Sequence, residues 1–286
     1  MMEQKGDAMS IIDFRARPTT KEFEYVQTNP AMIDEFERMG FKPKPLGSIE
    51  DFIATLDAAG VSQAVVPARD AETNWGEKVS NDYLSEIVQQ YPDRIIGFAG
   101  ADPLKGRAAV EEIDRSIREL GLSGVSLDPC FAFMAPNDRR LYPLYEKCIE
   151  LNVPVILTIG PLPIKPLRME HGDPLTVDAL ATDLPDLDIV CSHGGWPWTQ
   201  QMIAIAMRHD NVWFENAGYH TMPGAEMLVQ AANTLIPDKM LFATAFPGGQ
   251  CDSLKEEVEK FAGLGFEPDV LRKVFHDNAK ALLTRK

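Results

Sequence analysis

IIDFRARPTT, residues 11–20, decides how this chain is read. Its first four residues form an apolar run of the kind that fills a strand buried on both faces. Arg15 and Arg17 follow where the run ends. Residues i and i+2 of a strand share a side. The segment is therefore expected to aim two permanent positive charges at one place beside a core.

Seven more apolar runs follow: QAVVPA (63–68), RIIGFAG (94–100), GVSLD (124–128), VPVILT (153–158), LDIVCS (187–192), NVWFEN (211–216) and KMLFAT (239–244). The stretches between them carry helix signals. In SIEDFIATLDAAG (48–60), Ser48 is an N-cap, acids occupy the first turn and Gly60 is a stop. Eight strand–helix repeats in 286 residues predict an α/β fold, a (β/α)8 TIM barrel. A doubly wound sheet is the alternative, but no GxGxxG follows the first strand. No Ser- or Gly-rich linker divides the chain, so one domain over residues 1–286 is expected. Residues 1–9 are expected as a flexible tail, and residues 18–47 as a long loop over the barrel mouth that includes a short helix.

The formal net charge of −15 argues against nucleic acid and anionic membranes as partners. No apolar run approaches the roughly 20 residues of a membrane helix. The start, MMEQKGDAMS, lacks the apolar core of a signal peptide, so a cytoplasmic location is expected. Cys130, Cys148, Cys191 and Cys251 form no CxxC pair, which suggests neither a disulfide framework nor a zinc knuckle.

Barrel enzymes draw catalytic groups from the C-terminal ends of the strands. Read in order, those ends offer Arg15 and Arg17, then Arg69 and Asp70, Asp102, Asp128, Thr158 and His193. The seventh strand adds Glu215 and Asn216, with Tyr219 and His220 beyond, and the eighth adds Thr244 and Ala245.

Four stretches, IIDFRARP (11–18), CSHGGWPW (191–198), LFATAFP (241–247) and VFHDNAKALL (274–283), give a family resemblance. The chain resembles the amidohydrolase-2 branch of the amidohydrolase superfamily, which includes 2-pyrone-4,6-dicarboxylate lactonase and aminocarboxymuconate-semialdehyde decarboxylase. The resemblance implies a TIM barrel and, by habit of the family, a homo-dimer. It also marks departures. The family's strand-one HxH metal ligands fall on Arg15 and Arg17, its strand-five His on Thr158, and its strand-eight Asp on Ala245. His193 alone matches. Arginine has no lone pair for a metal, and zinc takes three or four ligands. No metal and no cofactor are therefore expected. A minority alternative is a different metal site built from His193, Asp128 and Glu215.

Arginine pairs suit bidentate binding of a carboxylate or phosphate. Arg15 and Arg17, joined by Arg69, are expected to hold a substrate carboxylate; the structural alternative is that they tie the barrel mouth to Asp13 or Asp128. His193 is expected as a general base, kept neutral by the neighbouring arginines, or else as a core histidine bonded to a carbonyl. Asp128 is either its acid/base partner or the counter-ion of an arginine. Thr158, Asn216 and Tyr219 are expected to contact substrate, and His220 to line the pocket. His171, His209 and His276 are expected on the surface. Trp75 is a candidate lid aromatic, and Trp196 or Trp198 a pocket wall or a packing residue.

The function expected is a metal-independent hydrolase acting on a small carboxylate-bearing lactone or activated ester. The alternatives are a decarboxylase or other lyase, a ring hydratase, and a catalytically inactive barrel that binds an anion.

Overall fold

The computed structural model describes residues 10–160 and 164–285. The expected tail, residues 1–9, lies outside the described residues. Every one of the eight apolar runs contains a strand: β1 (Ile11–Asp13), β2 (Val61–Pro67), β3 (Ile95–Gly100), β4 (Gly124–Leu127), β5 (Val155–Leu157), β6 (Ile189–Cys191), β7 (Val212–Glu215) and β8 (Met240–Leu241). They pair in parallel, each with the next in chain order. The ring closes just beyond the last ladder. Phe14 N–H donates to Phe242 O at 2.8 Å, and Ala245 N–H donates to Arg15 O at 2.9 Å. The fold is the expected TIM barrel.

Burial on both faces explains the unbroken apolar runs. Ile12, Phe14, Val65, Phe98, Ile156, Val190 and Trp213 pack together inside the barrel. Ile11, Val61, Ala64 and Val66 pack outward into the larger cluster beneath the helices. Gly124 is required here, because a Cβ on it would collide with the Phe98 ring.

The eight helices of the outer layer are α1 (Ile49–Ala59), α2 (Asn81–Gln90), α3 (Arg107–Arg118), α4 (Tyr142–Leu151), α5 (Leu175–Asp183), α6 (Thr199–Arg208), α7 (Glu226–Thr234) and α8 (Leu254–Ala262). α1 opens on the predicted cap: Ser48 Oγ accepts from Asp51 N–H, and the Asp51 carboxylate accepts from Ser48 N–H. It stops at Gly60, which adopts φ 71°. α8 packs against α1 and closes the helical layer.

The long connection after β1 carries the helix Pro30–Arg38 at the expected place. Proline suits a first helical turn because its missing N–H would have no partner there. A closing helix follows α8 and plugs the barrel at the N-terminal end of β8. Ala279 and Leu282 join the interior cluster. Asn278 Nδ2 donates to Pro237 O at 3.0 Å and to Met240 O at 2.8 Å.

Asn278→Ala removes both of those buried hydrogen bonds. It is expected to lower the unfolding free energy by about 2 kcal/mol, read as a lower urea midpoint with unchanged slope. An unchanged midpoint would show that the closing helix is not anchored through this side chain.

Candidate active site

The mouth of the barrel is organised around Asp13. Its Oδ1 accepts from Arg15 N–H at 3.0 Å and Thr244 N–H at 3.2 Å, and its Oδ2 accepts from Thr244 Oγ1 at 2.6 Å. These bonds tie the end of β1 to the end of β8. Burial pushes the Asp13 carboxyl up to about 6, against the pull of those donors.

Arg15 leaves this junction and crosses the mouth. Its Nη1 donates to Ser192 Oγ at 2.6 Å and its Nη2 to Thr158 Oγ1 at 3.4 Å. Nη1 also stands 3.8 Å from Glu215 Oε1. Burial raises the Glu215 pKa, with Arg15 opposing. Arg17 donates through Nε to Pro67 O at 2.9 Å. Its Nη2 is buried and has no hydrogen-bond partner. Burial, with Arg15 and Arg69 nearby, draws its pKa down to about 10. It therefore remains charged at neutral pH.

Arg69 is paired twice. Nε donates to Asp128 Oδ2 at 2.8 Å, and Nη1 to Glu77 Oε2 at 3.2 Å. Its guanidinium lies 4.3 Å from the Phe131 ring centroid. Burial works most strongly against its charge, but Asp128, Tyr25 and Glu77 together outweigh it and its pKa rises. Burial alone would raise Asp128, yet Arg69 and Arg15 hold it down to about 2. The other Asp128 oxygen accepts from the Thr158 hydroxyl. Asp128 thus stands as the counter-ion of Arg69.

His193 sits at φ 62°, followed by Gly194 at 58° and Gly195 at 64°. A left-handed backbone costs a non-glycine residue about 1–2 kcal/mol. Such positions cluster at functional sites. Ala245, φ 60°, is a second one beside the same pocket. His193 Nδ1 lies 2.8 Å from Ala217 O, which only accepts, so Nδ1 carries the proton and Nε2 is bare. Ala217 is fixed in turn, because its N–H donates to Glu215 Oε2 at 2.6 Å. Burial first, and Arg15 second, lower the His193 pKa to about 3.

These groups open onto one pocket, with about 550 Å³ of space that includes the solvent at its mouth. Arg15, Arg17, Arg69 and His193 form its charged and polar side. Phe36, Phe41 and Tyr219 form an aromatic side. Five of the expected site residues therefore line a single cavity: Arg15, Arg17, Arg69, His193 and Tyr219. Asp128 and Thr158 lie behind it, bonded to arginines. Asn216 is fully buried, and its amide nitrogen and oxygen have no partner.

His220 corrects an expectation. It faces away from the pocket, with Nε2 at 3.5 Å from Glu257 Oε2 and its ring 6.0 Å from Phe261. Tyr219, one residue earlier, is the one that lines the pocket. His171, His209 and His276 are half-buried rather than on the open surface. Trp75 packs 5.1 Å from Phe131 and donates to its carbonyl at 2.9 Å. Trp196 stands behind Tyr219 at 5.6 Å. The sequence reading missed Glu77, Ser192, Phe36 and Phe41. Only the length of the loop after β1 hinted at the two phenylalanines.

The donor set does not fit the family's metal centre. Guanidinium groups occupy the strand-one positions, and Ala245 brings only a methyl group. The alternative site of His193, Asp128 and Glu215 offers only two free donors, His193 Nε2 and Glu215 Oε1, where zinc takes three or four, because Arg69 and Thr158 hold Asp128, and Arg15 stands 3.8 Å from that Glu215 oxygen. Among the described residues no cluster of three or more His, Cys, Asp or Glu is arranged to hold a metal.

The family model described as Amidohydrolase matches residues 12–285. The chain belongs to the amidohydrolase family. An uncharacterised TIM-barrel protein of Bordetella bronchiseptica superposes with a TM-score of 0.82 at 35% identity, over 96% of this chain and 98% of that one. Gamma-resorcylate decarboxylase of Polaromonas sp. is 26% identical over 243 residues, 70% of this chain and 73% of that protein. The 2-keto-4-carboxy-3-hexenedioate hydratase of Sphingobium sp. is 24% identical over 199 residues, 59% of this chain and 57% of the hydratase. These relatives overturn the expectation of a hydrolase for a lactone or activated ester. They are named for decarboxylation and hydration, which are lyase reactions. The site gives a physical reason as well: an imidazole with a pKa of about 3 is a weak base for activating hydrolytic water. Among the described residues no helix is long and apolar enough to cross a membrane.

Two outcomes follow. Long-range proton–nitrogen NMR of the five histidines is expected to show His193 neutral, with its proton on Nδ1, from about pH 8 down to about pH 5. A depressed pKa means that imidazolium forms only as the pH approaches about 3, so a midpoint between 6 and 7 would contradict the electrostatics described. Elemental mass spectrometry of protein produced with added zinc and manganese is expected to find below roughly a tenth of an equivalent. Near-stoichiometric metal would show a donor set not recognised here.

Proposed function

We propose that this protein is a lyase that acts, without the family's metal, on a small planar acid, and that its reaction is decarboxylation. Arg17 carries the reading. It is a charged guanidinium, buried at the pocket, with one nitrogen that no protein atom satisfies. A buried charge without a partner is costly, and an anionic oxygen from substrate supplies the partner. The aromatic side formed by Phe36, Phe41 and Tyr219 suits a flat, unsaturated skeleton. The decarboxylase relative supports the reaction class.

The residues have separable roles. Arg15 and Arg17 hold an anionic group and stabilise charge that develops on a conjugated oxygen. A hydroxyl on the substrate donates a hydrogen bond to His193 Nε2, which stays neutral. Tautomerisation by way of water moves that hydroxyl proton to the carbon bearing the carboxylate. The bond to the departing carboxylate then breaks heterolytically, its electron pair flows through the conjugated system to the oxygen, and carbon dioxide leaves. The resulting oxyanion takes a proton from solvent.

The test uses hydroxybenzoates and unsaturated diacids with carbon-13 in the carboxylate, followed by NMR with a chelator present. At least one is expected to release labelled carbon dioxide or bicarbonate at an unchanged rate in the chelator. Arg17→Met is expected to weaken binding of that acid about 10- to 100-fold. Turnover abolished by chelator would overturn the metal-free reading. A hydrated product with no carbon dioxide would replace decarboxylation by hydration. Binding without any turnover would favour an inactive anion-binding barrel.

A further inference from the structure

A second cavity with about 410 Å³ of empty space adjoins the first. The two share Phe36, Phe41 and Gly248 as their common wall. The inner chamber holds the arginines and His193. The outer one is lined by Gln27, Ile33, Lys42 and Pro247 and leads away from them.

The two phenylalanines behave as one unit. Their ring centroids are 4.9 Å apart. Gly40, φ 74°, reverses the chain after the helix Pro30–Arg38, and Phe41 N–H donates to Phe36 O at 2.8 Å. The far edge of Phe41 rests against bare backbone: a Cβ placed on Gly218 would lie 3.2 Å from Phe41 Cζ. The segment is stitched to the loop after β8. Lys42 N–H donates to Gly249 O at 3.0 Å, Lys42 Nζ to Asp252 Oδ1 at 2.8 Å, and Gln250 Nε2 to Met39 O at 3.0 Å.

We infer that the Phe36–Phe41 pair is the specificity wall of this pocket: Phe41 ends the inner chamber and confines it to acids of one planar ring, and behind it lies room for a longer molecule. The inference rests on the reading of the inner chamber as a carboxylate site. A ring whose carboxylate meets Arg15 and Arg17 meets Phe41 on its far side. An arm on that far side has no space until the Phe41 ring is removed. The space then runs into the outer chamber, where Ile33 and Pro247 offer apolar contact.

The test compares benzoate with 4-butylbenzoate by calorimetry, using the wild-type protein, Phe41→Ala and Phe41→Leu. The wild type is expected to bind benzoate and reject 4-butylbenzoate. Phe41→Ala is expected to bind 4-butylbenzoate at least about tenfold more tightly than the wild type does, while its affinity for benzoate falls only a few-fold. Phe41→Leu keeps a bulky side chain, is the less disruptive change, and is expected to retain most of the rejection. Equal binding of 4-butylbenzoate by the wild type and Phe41→Ala would overturn the wall and leave the carboxylate site standing. Failure of both acids to bind any of the three proteins would overturn the carboxylate site and the wall with it.

Discussion

Three guanidinium groups buried in one barrel mouth repel each other, and the architecture there answers that repulsion unequally. Arg69 has two carboxylates, Asp128 and Glu77, and an aromatic ring beneath it. Arg15 has two hydroxyls and a glutamate at 3.8 Å whose pKa burial has raised. Arg17 has one backbone carbonyl. Compensation therefore falls away from Arg69 to Arg17, toward the end of the site that one protein atom satisfies. A cavity graded in this way attracts an anion to a particular place. It also suppresses protonation of the imidazole that shares it.

The same region concentrates backbone strain. His193 and Ala245 are both non-glycine residues in the left-handed region, and both line the pocket. Hydrogen bonds hold each in place. Ala245 N–H donates to Arg15 O at 2.9 Å, and Gly248 N–H returns to Ala245 O at 2.9 Å. His193 is locked through Ala217 to Glu215. Glu215 thus reaches both functional halves of the site, the guanidinium of Arg15 and the tautomer of His193, without itself lining the pocket.

The barrel was legible because its strands are buried on both faces, which leaves unbroken apolar runs that helical segments do not mimic. The RxR spacing also carried real information, since Arg15 and Arg17 do open onto one cavity. What the sequence hid are partners supplied by pieces too short to show a period. Glu77 comes from a ladder of two residues on each side, Asp70–Ala71 against Glu77–Lys78. Phe41 follows a glycine reversal in a loop. His220 misled for the related reason that one turn beyond a strand end is enough to reverse a side chain, so counting along the chain stops predicting direction there. Hydrolysis was the wrong reading of a pocket whose charged lining the sequence had pointed to, because one constellation of arginines and an imidazole serves several reactions.

Replacing metal-binding imidazoles by guanidinium groups changes what such a pocket can accelerate. A metal or an arginine bound tightly to the departing carboxylate stabilises the ground state more than the transition state, because the negative charge leaves that carboxylate as the bond breaks. Catalysis rewards only the interaction that grows. In a decarboxylase with this geometry, the productive contact of Arg15 and Arg17 is consequently with an oxygen that gains charge, either conjugated with the breaking bond or on a second carboxylate that stays behind. A pocket divided into a cationic side and an aromatic side suits such a reaction, because it would bind an acid through the oxygen that gains charge and leave the departing carboxylate unheld.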